Sequence, residues 1–152
     1  MTLKRQLAAL GACKDATRWA TKYSTLAEAW DACERGDWML WLVSKTLGRE
    51  QDSDGRKRLV FAACQCARLG LPYTSDARVL ATIETTERWT TGQSDMQEVR
   101  DAAHAAAYAA YAADAAHAAH AAANAAHAAR IITLSQCADI IRPLFLASEL
   151  KG

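Results

Sequence analysis

Residues 102–129 read AAHAAAYAAYAADAAHAAHAAANAAHAA, which is 20 alanines and eight other residues: His104, Tyr108, Tyr111, Asp114, His117, His120, Asn124 and His127. Alanine has the highest helix propensity of any residue, because it loses no side-chain entropy and buries no polar group. The segment is therefore expected to be helical with little tertiary help. No helix breaker interrupts the chain from Met96 to Arg130. One long helix near residues 95–130 is predicted, about 50 Å long at 1.5 Å per residue. That element places the chain in the all-α class.

The eight non-alanine residues are separated by steps of 4, 3, 3, 3, 3, 4 and 3. At roughly 100° per residue this spacing does not draw one straight stripe. His104, Tyr108 and Tyr111 share one side, and Asp114 steps away from them. His117, His120, Asn124 and His127 gather within an arc of about 80° on nearly the opposite side. Tyr108, Tyr111, Asp114, His117, His120, Asn124 and His127 are thus candidate partner-binding residues. The intervening alanines let another backbone approach closely, so a homodimer through this helix is also open. A plain packing helix with incidental polar residues explains the same pattern. His117 and His120 could chelate one ion, but no acid or thiol adjacent in sequence completes a tetrahedral set. No metal and no cofactor are expected.

Outside the tract, helix signals recur and strand signals are nearly absent. Leu3, Leu7 and Leu10 have helical spacing, ended by Gly11. A second helix is read from Cys13 to Lys22. Thr25-Leu-Ala-Glu28 reads as a capping box. Gly36 is read as a break and Asp37 as the N-cap of an apolar helix from Trp38 to Leu47. A polar loop from Gly48 to Gly55 follows, then a helix over 56–69 closed by Gly70-Leu-Pro72. Ser75 or Asp76 caps a helix from Ala77 to Trp89. Ser94-Asp-Met-Gln97 is read as a second capping box. A last helix is expected over Ile131–Leu146, kinked or ended by Pro143. The sum is a single-domain bundle of about six to eight helices. It would comprise a Trp-rich part over 1–92, the long alanine-rich helix over 93–130 and a C-terminal helix over 131–148.

Composition narrows function further. The formal net charge is +1. Nucleic-acid binders usually carry a basic excess on one face, so a nucleic-acid partner is not expected, and Arg56-Lys57-Arg58 reads as a solvated helix start. Residues 1–12 lack an apolar run long enough for a leader. Five cysteines, an odd number, fit a reducing cytoplasm with the thiols as small core residues. Cys64-Gln-Cys66 does not have the redox spacing. No nucleophile elbow and no glycine-rich phosphate loop occurs. The tract is broken by polar residues every three or four positions, which argues against a membrane span. An enzyme is not expected.

Trp30, Arg35, Asp37, Trp38 and Trp41 form the sharpest cluster outside the tract. Tryptophan and arginine are favoured in binding hot spots, which makes Arg35 and Trp38 partner-binding candidates. The same residues also suit a core corner, with Arg35 or Asp37 bonding chain ends.

The order of motifs resembles an immunity-protein-like, alanine-rich helical family of bacteria and phages, associated with polymorphic toxin systems. The resemblance rests on Ala29-Trp-Asp-Ala-Cys-Glu-Arg-Gly-Asp-Trp-Met-Leu-Trp-Leu42, Arg58-Leu-Val-Phe-Ala-Ala-Cys-Gln-Cys-Ala-Arg68, Ile83-Glu-Thr-Thr-Glu-Arg-Trp89, the tract, and Cys137-Ala-Asp-Ile-Ile-Arg142. These cover roughly residues 12 to 145, and the histidines of the tract depart from the pattern. The resemblance implies a non-enzymatic helical protein that binds and occludes a partner protein, a toxin or a host or phage factor. Two other readings stay open: a self-assembling structural helical protein, and a small-ligand or nucleotide sequestering protein using Tyr108 and Tyr111 to stack a base.

Overall fold

A computed structural model of the chain describes residues 2–50, 53–73, 76–114 and 133–150. The described residues form helices and short turns, with no strand among them. The helices are α1 (Leu3–Ala9), α2 (Lys14–Ala20), α3 (Leu26–Asp31), α4 (Gly36–Thr46), α5 (Asp54–Arg68), α6 (Ala77–Thr90), α7 (Met96–Asp114) and α8 (133–141). Three single 3-10 turns occur at Leu71–Tyr73, Arg142–Leu144 and Ala147–Glu149. The chain divides into two compact units. One takes residues up to Leu59 and from Leu134 onward; the other takes the described residues between Val60 and Thr133.

The first unit begins with helices whose ends are locally encoded. Gly11 adopts φ +84°, and the turn closes with Ala12 N–H donating to the Leu7 carbonyl at 3.0 Å. A positive φ is open to glycine at little cost. The Thr25–Glu28 capping box is present: Thr25 Oγ1 accepts from the Glu28 amide at 3.2 Å, and Glu28 Oε2 accepts from the Thr25 amide at 3.2 Å. The start of α4 differs from expectation. Asp37 is not its cap; the capping position is Arg35, and Gly36 is already helical. Gly36 is there for proximity. A Cβ at this position would strike the Cys137 side chain and lie 3.0 Å from the Ala138 nitrogen. Two helix backbones can meet this closely only where a side chain is missing.

The core of this unit draws on both ends of the chain. Trp30, Met39, Leu42 and Val43 are buried with Ile141, Phe145 and Leu150. Met39, Leu42 and Val43 recur at the three- and four-residue spacing of one helix face. The last helix ends earlier than expected, at residue 141, because Pro143 cannot supply an amide to continue it. The chain then runs through two 3-10 turns and is fastened by arginines. Arg58 donates to Glu149 Oε1 at 2.9 Å and to the Leu144 carbonyl at 2.5 Å, and lies 4.7 Å from the centre of the Phe145 ring. It is therefore a structural clasp, contrary to its reading as part of a solvated basic run. Arg142 donates to Asp139 and to the Cys33 carbonyl, both at 2.7 Å.

The second unit is built on α6 and α7, which pack along each other. Ala62, Cys64, Ile83, Thr85 and Trp89 are its buried residues. Asp76 caps α6 by accepting from the Arg78 amide at 2.9 Å. Thr82 Oγ1 lies 2.9 Å from the Ala102 carbonyl and links the two helices. The reciprocal cap of α7 is shifted one residue from the expected Ser94–Gln97 pair. Asp95 Oδ1 accepts from the Glu98 amide at 2.8 Å and Glu98 Oε2 accepts from the Asp95 amide at 3.2 Å. Ser94 is engaged elsewhere, donating to the Thr85 carbonyl at 2.8 Å. The first half of the alanine tract is helical in α7, as read from its composition. His117, His120, Asn124 and His127 lie outside the described residues.

Arg68 and Gln65 join α5 to α6. Arg68 grips Glu87 with two bonds of 2.8 and 2.6 Å, and Gln65 Nε2 donates to the same carboxylate at 2.8 Å. The Arg68 guanidinium holds the Glu87 carboxyl below its usual range, and Arg58 does the same to Glu149. A carboxylate with a lower pKa when folded binds protons better when unfolded. Its stabilising contribution is present above the unfolded pKa and is lost as pH falls through the folded one.

Two stability predictions arise. Gly36→Ala is expected to destabilise by about 1–3 kcal/mol through overpacking. Gly92→Ala has open space around the new Cβ but φ +77°, so about 1 kcal/mol from backbone strain alone is expected. Urea unfolding of both variants checks the order. Separately, the thermal midpoint should be level near neutral pH and fall once pH drops below about 4.3. Glu87→Gln should lower the neutral-pH midpoint by roughly 2–4 °C and make the acid fall shallower.

Candidate functional site

A half-buried ladder of rings, with Trp19 and Tyr23 packed on the core, runs across the first unit and ends in a charge pair. Trp19 comes from α2, Tyr23 from the turn just after it, Trp38 from the first turn of α4, and Arg35 from the residue before that helix. The Trp19 and Tyr23 rings are 4.8 Å apart between centres, and the Trp19 and Trp38 rings are 5.8 Å apart in an edge-on arrangement. The Arg35 guanidinium lies 4.3 Å from the centre of the Trp38 ring. Asp37 holds it from the side through bonds of 2.8 Å to Nε and 2.6 Å to Nη2.

The fork and the ring together fix the guanidinium plane. A long side chain normally loses rotamer freedom when it binds. Here that freedom is already restricted, while Arg35 and Asp37 stay 40% and 41% exposed. Arg35 holds the Asp37 carboxyl below its ordinary range, so the pair stays ionised well into mild acid. Aromatic rings supply rigid contact area, and a guanidinium supplies directional donors.

The structure divides the cluster singled out in the sequence. Trp30 belongs to the core, at 4% exposure. Trp41 is half-buried. Backbone amides at the start of α4 help to stabilise the Asp37 carboxylate, and Arg35 and Asp37 bond each other. Trp38 joins them at the surface, and Trp19 and Tyr23, which the sequence reading did not select, complete the ladder. Their four-residue separation was the available signal. Behind the ladder lies a small apolar void of about 50 Å³, walled in part by Trp19, Trp30, Trp38 and Trp41. The Trp30 indole N–H is buried and has no hydrogen-bond partner among the described residues.

The other candidates fall on the tract. Tyr108, Tyr111 and Asp114 lie on α7. The four later ones are outside the described residues. Among the described residues, no three of His, Cys, Asp and Glu gather in a way that could hold a metal ion. No described helix is long and apolar enough to cross a membrane.

None of the five cysteines forms a disulfide. Cys33, Cys64 and Cys137 are buried, as read from their number and setting, and Cys66 is half-buried. Cys13 differs: it is exposed at the start of α2, where its Sγ accepts from the Ala16 amide at 3.5 Å. Burial, with the nearby Glu87 carboxylate, pushes the Cys64 thiol up to about 11, and burial also raises Cys33.

Comparison of the chain with protein-family models, curated proteins and solved structures finds no match.

The thiol environments predict an ordered reaction with Ellman's reagent. Cys13 should react first in the native protein, and Cys13→Ser should remove that fast phase. Cys33, Cys64 and Cys137 should react only on unfolding, since burial keeps the reagent from their sulfurs; at Cys33 and Cys64 burial also opposes the thiolate, which is the nucleophile.

Proposed function

We propose that the chain is a non-enzymatic protein-binding module, an immunity protein or phage-encoded inhibitor that acts by occluding a partner protein. The observation that carries this reading is the preorganised surface of Trp19, Tyr23, Trp38 and Arg35. Arginine and large aromatics dominate binding energy in protein interfaces. Here they are held in place before any partner arrives. The order of motifs in the sequence supports the same reading, because it resembles a family associated with toxin systems. The polar residues of the alanine tract, Tyr108, Tyr111, Asp114, His117, His120, Asn124 and His127, are separate candidate partner-binding residues.

Affinity purification of the tagged chain from its native host tests the proposal. A single protein recovered at constant stoichiometry is expected. Trp38→Ala combined with Arg35→Ala should weaken its retention by roughly tenfold or more, the scale of one hot-spot loss. Circular dichroism should show the helical content unchanged. A partner retained equally by the double variant, or no stoichiometric partner at all, rejects the reading.

A further inference from the structure

The first unit contains a second, larger hollow that shares Leu7, Leu26 and Leu42 with the wall of the void behind the ladder. It measures about 690 Å³, inside the roughly 300–1,000 Å³ range of small-molecule sites. Four segments wall it: α1 with Leu10, the start of α3 with Ser24 and Thr25 before it, Leu42 of α4, and the 3-10 turn Ala147–Glu149 with Leu150. Its apolar lining is leucine-rich. Leu3, Leu42 and Leu150 are buried, while Leu7, Leu10 and Leu26 keep part of their surface open.

The polar groups of the lining are all uncharged. Gln6, Ser24, Thr25 and Ser148 supply them, and among the described residues no acidic or basic side chain contributes to the wall. Thr25 is engaged in the cap of α3. The Gln6 carboxamide and the Ser24 and Ser148 hydroxyls make no hydrogen bond among the described residues and are exposed. They can meet a polar end group.

From this chemistry we infer that the hollow is a binding site for a neutral amphiphile, an aliphatic or aromatic body with one uncharged hydroxyl or carbonyl end. Taking leucine surface out of water supplies the drive in proportion to area. The lack of a cation in the wall disfavours carboxylates and phosphates, because an anion would leave water without a partner. A nucleotide is disfavoured at the described wall on the same ground. No residue of the ladder lines the hollow, and its test does not depend on the partner protein.

The neutral dye N-phenyl-1-naphthylamine, titrated into the full chain, is the probe. Saturable, single-site fluorescence enhancement is expected, with displacement by 1-dodecanol and little displacement by dodecanoate or adenosine monophosphate. Ala9→Phe and Ala27→Phe each place a ring at the hollow from an exposed lining position. Each should weaken dye binding by roughly tenfold or more while the helical signal is retained. Should either variant fail to fold, the other variant and the competition on the wild-type chain still decide. Non-saturable binding overturns the inference. So does unchanged affinity in a folded variant, or displacement by dodecanoate in preference to dodecanol.

Discussion

The close approach of α4 and α8 at Gly36 is the constraint on which the first unit depends. It brings residues about a hundred positions apart into backbone contact, in a space that no side chain can share. Once that contact is made, Arg142 reaches the Cys33 carbonyl and Phe145 and Leu150 enter the core. Arg58 then covers Phe145 and takes hold of Glu149. Each later interaction presupposes the earlier proximity. Individually the arginine contacts are modest, since several are partly exposed and screened. They set position more than they add stability.

How much of this was legible depends on the range of the interaction. The all-α class was readable because alanine propensity, leucine spacing and the Thr25–Glu28 box act within a few residues. The helix starts at Gly36 and Asp95 were misread because both depend on distant partners. Asp37 has the chemistry of a cap, but Arg35 claims its carboxylate. Ser94 has it too, but its hydroxyl is drawn to Thr85 and the role passes to Asp95. Gly36 read as a break because a break and a close approach use the same residue. Only the position of Cys137 separates the two.

The site follows the same rule. Arg35 and Trp38 could be chosen from residue type alone, since three positions on one chain already favour their contact. The Trp19–Tyr23 pairing was available from spacing, but the contact of Trp19 with Trp38 joins residues 19 positions apart and depends on tertiary packing. Arg58 was hidden inside a basic triplet, and its acidic partner lies 91 residues away. A residue-type search finds the anchor of a surface; the extent of that surface is a property of packing.

That the first unit is assembled from both ends of the chain has a consequence for the order of synthesis. Residues up to Leu59 leave the ribosome long before residues 134–150 exist. During that interval Met39, Val43 and Trp30 lack Ile141, Phe145 and Leu150. The second unit, continuous in sequence, meets no such delay. Loop-closure entropy adds to it, since the segment between the two halves must be ordered end to end before their contacts are rewarded. The nascent chain therefore carries an unfinished apolar surface until residues 134–150 have emerged, which is the interval in which chaperones act.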